Sequence, residues 1–556
     1  MKLHWNTATQ ELELAAPYFS TSPCRRILGA VYDKRRKVWT FPVSAISTVK
    51  KVFGDRVTYS VEAQQAVDKF IQDYRYVEAL KSRKAEPPEH PFLMWHQRVC
   101  VEIARRFPRY AWFMDTGTGK TLAALQVIAE NTQIKWLVVC PRNIIKTAWM
   151  ADQQKFFPKL KLLPLSTNIK KEDYLAIAEA WGVKVTPTSS TKALLQKLLP
   201  LADCYIINPE SFKQKLAIFQ IYKVKGLIFD ESVKIKSMKT AITKNILAFA
   251  EDLSRVYVMS GLPAPNSPLE YYPQMYIIDR GIFGESYYRF RGVFFEQYGY
   301  MNYNWRLRKD MAEKFGQRLG IKSFFVSKDD CLDLPEKTYL VHQIDLPTEI
   351  QKYYLQMERQ RFLLLKDSVA IARNTLTSIM KLRQITGGFV IDEEDATQPI
   401  HEHKLNELLE VLEGIGNKPV IIWCNFRNEI QTIETKLQEL GKTVVTAYAE
   451  TRNIDDSIEA FKTGRAQYII AHPASLKYGV TFTHCSYAVY YSISYSYDDY
   501  YQSHDRIYRK GQNKPCTFIF LLCSDTIDEV IYQALKDKRD MSEAIKVYAK
   551  RRRYIG

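Results

Sequence analysis

The sequence has few of the features that mark a secreted, membrane-spanning or zinc-stabilised protein. Its nine cysteines stand singly, with no CxxC pair and an odd total, so neither a disulfide framework nor a zinc site is predicted. No apolar run approaches the length of a membrane span, and the first residues, MKLHWNTATQELEL, are too polar for a secretory signal. We therefore expect a reducing compartment and no membrane.

Positive charge and apolar residues are abundant instead. A chain of 556 residues is too long for one core and predicts two large domains with smaller attachments. Hydrophobic residues make up 46% and aromatic residues 13%, which is enough for packed interiors. Lys and Arg outnumber Asp and Glu by 79 to 61, a formal charge of +18. This excess favours a polyanionic partner such as nucleic acid, although a basic surface without such a partner has the same total.

Short apolar runs alternate with helical stretches from about residue 92 onward. They form two series: WLVVC, CYIIN, GLIFD and RVYVMS, then PVIIWC, VVTAY, QYIIA and YAVYYS. Runs of this kind between helices predict buried parallel strands, and therefore an α/β fold with two parallel-sheet lobes. A tyrosine- and arginine-rich stretch, predicted to be helical, separates the two series.

The composition also predicts domain boundaries. Helical composition over 61–81 is followed by SRKAEPPEHP, whose prolines cannot continue a helix. The predicted segments are an α+β module over 1–60, a helix and proline-rich linker over 61–91, a first lobe over 92–275, a helical connecting region over 276–400, a second lobe over 401–535 and a basic tail over 536–556. The motif HEH at 401–403 has no companion ligands, so we prefer a solvated loop to a metal site.

The stretch MDTGTGKT, residues 114–121, follows a strand candidate, YAWFM, and opens a helical run. Gly117 and Gly119 would let backbone N–H groups close around phosphate oxygens. Lys120 would reach the β and γ phosphates, and the Thr121 hydroxyl would ligate Mg²⁺. Met114 departs from the P-loop pattern, which has its first glycine there. The context favours nucleotide binding over a chance tight turn.

Two acids end the apolar run in KGLIFDESVKIKS, residues 225–237. Asp230 would hold Mg²⁺, directly or through water, and Glu231 would polarise the attacking water, because hydrolysis needs a base beside the γ-phosphate. Acid pairs are also common at ordinary strand ends. The position about 110 residues after the P-loop favours the catalytic interpretation.

The stretch DDYYQSHDRIYRKGQ, residues 498–512, places two arginines three residues apart. On a helix Gln502, Arg506 and Arg509 would share one face. Two guanidiniums in fixed register suit a strong negative charge. A surface helix with two solvated arginines is the alternative.

Together these pieces resemble the Swi/Snf branch of superfamily II helicase-like ATPases, over about residues 92–535. The matching blocks occur in family order: LMWHQRV with Gln97; MDTGTGKT; VVCPRNIIKTAW with Pro141 and Trp149; DESVKIKS; MSGLPAPNSPLEYY with Ser260, Gly261, Pro263, Asn266 and Glu270; VSKDDCLDLPEK; MKLRQI; and QSHDRIYRKGQ with Gln502, Asp505, Arg506, Arg509, Gly511 and Gln512.

The resemblance implies two RecA-like lobes with ATP and Mg²⁺ bound by the first. Arg506 and Arg509 of the second lobe would then meet the γ-phosphate, so that hydrolysis reports closure of the lobes. If DNA spans both lobes, each cycle becomes a step along it. The implied nucleotide contacts are Gln97, which reads adenine in the family, Gly117, Thr118, Gly119, Lys120, Thr121 and Gln502.

Several positions depart from the family pattern. Val233 occupies the histidine position of the DEAH box, and Leu262 replaces the threonine of the coupling motif. In AHPASLKYGVTFT, residues 471–482, Leu476 and Lys477 stand where glycines are expected. Lys477 could instead contact a phosphate. These changes leave hydrolysis intact as a prediction and put its coupling to DNA in doubt.

The N-terminal stretch CRRILGAVYDKRRKVWTFP combines cations with aromatic residues, as nucleic-acid surfaces do. Its predicted DNA contacts are Arg25, Arg26, Lys34, Arg35, Arg36 and Lys37. It also resembles, over about twenty residues, the HARP module of annealing helicases, which recognises branched DNA. Alternatively Trp39 and Phe41 form the module's core, and we expect this of at least one. The terminal AKRRRYIG is a DNA-phosphate tail, a localisation signal or a solubilising end.

The predicted function is therefore an ATP-dependent translocase on double-stranded DNA that remodels or reanneals forks. A strand-separating helicase and a DNA-binding scaffold with weak ATPase activity are the alternatives. DNA, duplex or forked, is the expected partner, with replication or repair proteins as further partners and a monomer as the expected state. The compact form is similar to bacterial or phage members, which predicts a cytoplasmic location, or a nuclear one in a eukaryote.

Overall fold

Two parallel β-sheets, in two separate units, organise the protein in its computed structural model. The units are Met1–Cys331 and Leu332–Gly556. The structure describes residues 1–15, 21–167, 169–298, 304–331, 333–364, 371–391, 396–476 and 480–538, with residues 544 and 552. The predicted α/β class with two parallel-sheet lobes is confirmed. Within the described ranges no helix has the length and apolarity to cross a membrane.

The first sixty residues form a five-stranded, mostly antiparallel sheet of order β3-β4-β2-β1-β5. Its elements are β1 (Lys2–Asn6), β2 (Glu11–Leu14), α1 (Thr21–Arg25), β3 (Val31–Asp33), β4 (Val38–Pro42), α2 (Ile46–Phe53) and β5 (Thr58–Tyr59). Trp39 and Phe41 point into its core and are 6% and 0% exposed, which confirms the core alternative for both. Tyr32, by contrast, is exposed and its ring packs on Trp39 at 5.2 Å.

This N-terminal sheet packs directly on the rest of the first unit. Gly29 lies so close to Gly281 that a Cβ added to it would stand 2.8 Å from the Gly281 Cα. Arg280 forms an ion pair with Glu11 beside this contact. The next helix, α3 (Val61–Lys81), begins and ends as predicted, and Lys81 Nζ donates to the Gly320 carbonyl at 2.8 Å. Module and helix therefore belong to one body with the first parallel sheet.

Seven parallel strands form the first sheet, in the order β14-β6-β11-β10-β7-β9-β8. The strands are β6 (Arg109–Met114), β7 (Lys135–Val139), β8 (Leu162–Pro164), β9 (Cys204–Ile207), β10 (Val224–Asp230), β11 (Arg255–Ser260) and β14 (Ser323–Val326). The helices between them are α4 (Trp95–Arg106), α5 (Lys120–Ala129), α6 (Ala151–Phe156), α7 (Lys171–Ala180), α8 (Thr191–Leu198), α9 (Phe212–Ile221), α10 (Ala241–Ala250) and α11 (Tyr271–Ile278). Nearly every residue of the central strands is buried, as expected for a parallel sheet covered on both faces.

The connecting region, predicted to be helical, also contains strands. After α12 (Tyr287–Phe294) the chain forms a hairpin, β12 (Phe295–Tyr298) with β13 (Asn304–Leu307), and then α13 (Ala312–Gly320). β14 adds an edge to the first sheet and precedes α14 (Lys328–Cys331). The helical prediction missed these strands because they are short and lie at edges, where a continuous apolar run is not required.

The second unit holds a six-stranded parallel sheet of order β15-β22-β21-β18-β20-β19. Its strands are β15 (Lys337–Ile344), β18 (Val420–Trp423), β19 (Val444–Ala447), β20 (Tyr468–Ala471), β21 (Tyr487–Tyr490) and β22 (Cys516–Cys523), with a small pair, β16 (Phe389–Ile391) and β17 (Thr397–Pro399). The helices are α15 (Thr348–Leu364), α16 (Ile371–Thr386), α17 (His403–Ile415), α18 (Arg427–Glu439), α19 (Ile454–Lys462), α20 (Tyr497–His504) and α21 (Ile527–Lys536). Alternate residues of β18 enter two separate cores, so both faces are covered.

The predicted arginine helix is shorter than expected. α20 ends at His504, with Asp505 as its C-cap, so Arg506 and Arg509 lie in the turns that follow. The prediction that they share a helix face with Gln502 is therefore wrong. The chain leaves the helix before the first arginine and turns back toward β22, whose strand was not predicted.

Candidate functional site

The phosphate-binding candidate joins the end of β6 to the start of α5. Gly117 and Gly119 both have left-handed backbones, with φ of 83° and 79°. Gly119 is the N-cap of α5, and a Cβ on it would stand 2.1 Å from Gln97 Nε2. The loop therefore needs glycine at this position, both for its conformation and for its contact with α4.

Lys120 is buried, with 8% of its surface exposed, and its ammonium group turns back under this loop. Nζ donates to the Met114 carbonyl at 2.8 Å and to the Asp115 carbonyl at 3.2 Å. Thr121 follows it in the first turn of α5 and is half-buried. The one lysine of the motif thus holds the loop together from inside.

Residues of α4 also fix the loop. Gln97 Nε2 donates to the carbonyls of Thr118 and Gly119, at 3.0 and 3.3 Å, and its Oε1 accepts from the Met94 backbone N–H at 2.9 Å. The His96 ring lies 2.7 Å from the same Thr118 carbonyl. Thr118 is itself buried, so this side of the loop is covered by α4.

The acid pair stands at the end of β10, with β11 between it and the P-loop strand. Asp230 is 4% exposed, and its carboxylate accepts from Trp149 Nε1 at 3.1 Å and from the Glu231 backbone N–H at 2.9 Å. Burial raises the pKa of the Asp230 carboxyl, while the charge of Lys120 acts to lower it. Glu231 is buried and adopts a left-handed backbone, with φ of 54° and ψ of 55°.

The coupling motif lies between these two groups, at the end of β11. A Cβ on Gly261 would stand 2.9 Å from the backbone nitrogen of Thr116 in the P-loop turn. The ends of β6, β11 and β10 therefore bring the P-loop, the coupling motif and the acid pair to one edge of the sheet. Val233 and Leu262, the two departures, are buried and half-buried respectively.

The second unit brings its own predicted residues together. Arg506 is buried and donates from Nε to the Gln502 carbonyl at 2.9 Å and from a terminal nitrogen to the Val480 carbonyl at 3.0 Å. Arg509 donates to the same Val480 carbonyl at 3.4 Å. Burial lowers the pKa of the Arg509 guanidinium, with the charge of Asp505 acting in the opposite direction.

Gln502 completes this cluster. Its Nε2 donates to Asp498 at 2.7 Å, and its Oε1 is buried without a hydrogen-bond partner among the described residues. A buried acceptor of this kind is costly unless something pairs with it.

Six of the seven predicted DNA-binding residues lie on the N-terminal module. Arg25 and Arg26 are exposed at the end of α1. The turn between β3 and β4 carries four exposed basic residues: Lys34, Arg35, Arg36 and Lys37. Arg36 forms an ion pair with Glu13. Lys477 and most of the basic tail lie outside the described residues.

Two residues that support the candidate site, Trp149 and Gln274, were not recognised as such in the sequence. Trp149 was matched to a motif without a role, and it now bonds Asp230 from 81 residues away. Gln274 is fully buried on α11 and joins the acid-pair loop to the coupling motif. A glutamine within the apolar run YYPQMYII was the available signal.

The residues present fit a nucleotide with a divalent cation. Gly117 and Gly119 give the loop the left-handed backbone of a phosphate-binding turn, and Thr116 Oγ1 is buried there without a hydrogen-bond partner in the described residues. A hydroxyl at Thr121 and a carboxylate at Asp230 are oxygen donors of the kind Mg²⁺ prefers. No cluster of three or more His, Cys, Asp or Glu side chains suited to a metal occurs in the part of the chain described.

Two family models match the chain. An SNF2-related domain matches residues 112–387, and a helicase conserved C-terminal domain matches residues 403–511. The chain is 22% identical to protein p41 of Acyrthosiphon pisum secondary endosymbiont phage 1, covering 82% of this chain and 98% of that protein.

A Caenorhabditis elegans homologue of SWI/SNF-related matrix-associated actin-dependent regulator of chromatin subfamily A-like protein 1 is 22% identical, covering 92% of this chain and 70% of its own length. Among solved structures, the Sulfolobus solfataricus SWI2/SNF2 ATPase core in complex with dsDNA covers 83% of this chain and 93% of its own, with 19% identity and a TM-score of 0.35.

The fold and the P-loop define a helicase-like ATPase with two parallel-sheet lobes. The chain belongs to the Swi/Snf family, with an SNF2-related domain followed by a helicase C-terminal domain, and it is a DNA-dependent ATPase.

Proposed function

We propose that the protein uses ATP hydrolysis to move along double-stranded DNA and that it remodels or reanneals branched DNA such as forks. The observation that carries the proposal is the grouping of Lys120, Asp230 and Glu231 at one edge of the first sheet, with Glu231 in a left-handed backbone conformation. Non-glycine residues persist in that conformation where the surrounding structure holds them, often at functional sites.

Each residue of this group has a proposed role. Lys120 exchanges its carbonyl partners for the β and γ phosphates, and the loop around Gly117, Thr118 and Gly119 supplies backbone N–H donors. Thr121 and Asp230 would hold Mg²⁺, which when bound neutralises phosphate charge.

Two further residues contact the attacking water and the adenine base of the nucleotide. Glu231 orients the attacking water and accepts its proton. Gln97, next to the loop, is the proposed contact to adenine.

The second unit would contribute positive charge. Arg506 and Arg509 stabilise the charge that develops on the γ-phosphate, and Gln502 supports the nucleotide beside them. Because these arginines come from a different unit than Lys120, hydrolysis would depend on the two units acting together. A cycle of this kind converts hydrolysis into stepwise movement when both units hold DNA.

The N-terminal module is the proposed site for branched DNA, as in the HARP module that it resembles. The four basic residues at the tip of the β3–β4 hairpin, with Arg25 and Arg26, offer phosphate contacts, and exposed Tyr32 offers a stacking surface. Lys477 is a further proposed phosphate contact. Relatives named as SWI/SNF-related regulators of chromatin support DNA as the partner.

ATPase rates measured without DNA, with single strands, with duplex and with forks test the proposal. We expect duplex and fork to stimulate hydrolysis more than single strands do. A triplex-displacement assay should then report movement, while a strand-displacement assay on the same duplex should report none.

Other outcomes would select the alternatives. Strand displacement at the rate of ATP hydrolysis indicates a strand-separating helicase. Tight DNA binding with a slow ATPase that no DNA stimulates indicates a scaffold and contradicts translocation. We propose a monomer that acts in the cytoplasm of a bacterium or phage-infected cell, or in a nucleus, and sedimentation with and without DNA tests the monomer.

A further inference from the structure

A single buried glutamine joins the acid-pair loop to the coupling motif. Gln274, on α11, is 0% exposed. Its Oε1 accepts a hydrogen bond from Ser232 Oγ at 2.6 Å, and Ser232 is the residue directly after Glu231. Its Nε2 donates to the Pro263 carbonyl at 2.7 Å and to the Glu270 carbonyl at 2.9 Å.

The orientation of this amide is fixed by its partners. Two carbonyl oxygens can only accept, so the nitrogen must face Pro263 and Glu270, and the oxygen must face the Ser232 hydroxyl. Three hydrogen bonds, at 2.6, 2.7 and 2.9 Å, thus hold the amide in a buried site. Breaking the bond to Ser232 or the bonds to the two carbonyls would leave a buried polar group without a partner. Because that is costly, the bridge resists distortion.

The bridge reaches the P-loop through the coupling motif. Pro263 stands two residues after Gly261, which packs against the Thr116 backbone. On the other side, Ser232 follows Glu231, whose left-handed backbone must be held in place by its surroundings. The bridge therefore ties the conformation of Glu231 to the loop that contacts the nucleotide-binding turn.

Two of the departures from the family pattern, Val233 and Leu262, lie in the loops that this bridge joins. Val233 has no polar atom in its side chain and Leu262 has none either, so neither can make a polar link between the loops through its side chain. Ser232 and Gln274 supply such a link in this chain.

We propose that Gln274 is a positioning residue for hydrolysis, which holds Glu231 in register with the coupling motif and the P-loop. The inference rests on the proposed role of Glu231. Gln274 touches neither phosphate nor water in this role, so its loss should lower turnover and leave nucleotide binding unchanged.

Three variants distinguish the effect of losing the bridge from the effect of a general loss of stability. Gln274→Met keeps length and helix propensity and removes both sides of the bridge. Ser232→Ala removes one side, and the double variant removes both. Gln153→Met is the matched control, because Gln153 Nε2 also donates to two carbonyls, those of Phe157 and Leu160 at 3.0 and 2.8 Å, on a different helix.

The expected result is a fall of about tenfold in kcat for Gln274→Met, with and without duplex, and affinity for a fluorescent ATP analogue within about twofold of wild type. The double variant should be no slower than Gln274→Met alone, because the two residues act as one unit. Gln153→Met should keep the wild-type kcat even where its Tm falls as much as that of Gln274→Met.

Two results would overturn the inference. One is wild-type kcat in Gln274→Met whatever its Tm. The other is a double variant whose loss equals the product of the single losses, since independent sites add. Failure of the proposed function has a different outcome: wild-type ATPase would not respond to DNA, or Glu231→Gln would hydrolyse normally, and neither result depends on Gln274.

Discussion

The two parallel sheets have the same architecture and carry opposite chemistry at their functional edges. In the first sheet, Lys120 and Asp230 are buried and paired with backbone carbonyls, an indole N–H and a backbone N–H. In the second unit, two arginines converge on the single carbonyl of Val480. The residues of the first sheet suit binding of phosphate and activation of water, whereas the two arginines of the second unit offer positive charge. The proposal that hydrolysis needs residues of both units therefore makes different predictions for the two sets of residues.

Removing one arginine tests this division most strongly. Arg509→Ala should lower kcat by roughly 10³–10⁵, as for other arginine fingers, and should largely spare ATP binding. The physical reason is that the guanidinium acts on charge that develops during the reaction. Turnover and equilibrium binding of a fluorescent nucleotide are the two measurements. Arg452→Ala, an exposed arginine of the same unit, is the control. Normal hydrolysis by Arg509→Ala would mean that the second unit does not take part.

The first sheet is tested by Glu231→Gln, which keeps shape but cannot accept a proton. We expect kcat to fall by roughly 10²–10⁴ while ATP and DNA stay bound together in a stable complex. Lys120→Ala should differ by weakening ATP binding as well as turnover, because the lysine contacts ground-state phosphates. Rapid hydrolysis by Glu231→Gln, followed by phosphate release, would show that another residue positions the water.

Much of the fold was predictable because buried parallel strands are continuous apolar runs. All eight quoted runs became strands, from β7 (Lys135–Val139) to β21 (Tyr487–Tyr490). The strands that were missed include β14 and β15 at sheet edges, and six of the eight residues of β15 are exposed. Edge strands bury less surface, so their sequences carry a weaker pattern.

The site was predictable only in part. Short motifs identify Lys120, Asp230 and Arg509 as candidates because residue type and spacing within a few positions indicate their chemistry, and the structure brings Lys120 and Asp230 to the same edge of the first sheet. The bond from Trp149 to Asp230 and the bridge through Gln274 join residues 81 and 42 positions apart, so only folding reveals them. The end of α20 before Arg506 was missed because Arg506 and Arg509 have helical spacing whether or not a helix continues.

The second unit also offers a test of stability rather than of hydrolysis. The second unit has a buried ion pair that includes neither Arg506 nor Arg509: Lys404 with Asp528 at 2.7 Å, in which the lysine side chain is 1% exposed. Lys404→Met leaves Asp528 charged and buried, so we expect a loss of about 3–5 kcal/mol from this unit. Hydrogen exchange of the β22 amides measures that loss.

Arg427→Ala is the control for this prediction, because its pair with Glu450 is exposed and is worth at most about 1 kcal/mol. Unchanged β22 exchange in Lys404→Met would mean that the pair does not stabilise the unit. Reduced ATP turnover at temperatures where the unit stays folded would mean that the buried charge belongs to the site after all.

The smallest effect is expected from the hairpin of the N-terminal module, which lies outside both sheets. Two changes to this module would not report on DNA contacts alone. Trp39→Ala would remove a core residue, and deletion through α3 would expose the face that this helix covers on the first unit. Arg36 is paired with Glu13, so it is also a poor reporter of phosphate contacts.

A variant with Lys34→Gln, Arg35→Gln and Lys37→Asn avoids these problems. Asparagine suits position 37 because Lys37 has a left-handed backbone, with φ of 55°. If all three cations touch phosphates, the slope of log K against log salt for fork binding should become shallower by about 0.9 for each, or about 2.7 in all. Lys2, Lys50 and Lys51, exposed on the same module, changed to Gln provide a charge-matched control. An equal change of slope in both variants would reduce the effect to net charge, and an unchanged preference for forks over duplex would place branch recognition outside this hairpin.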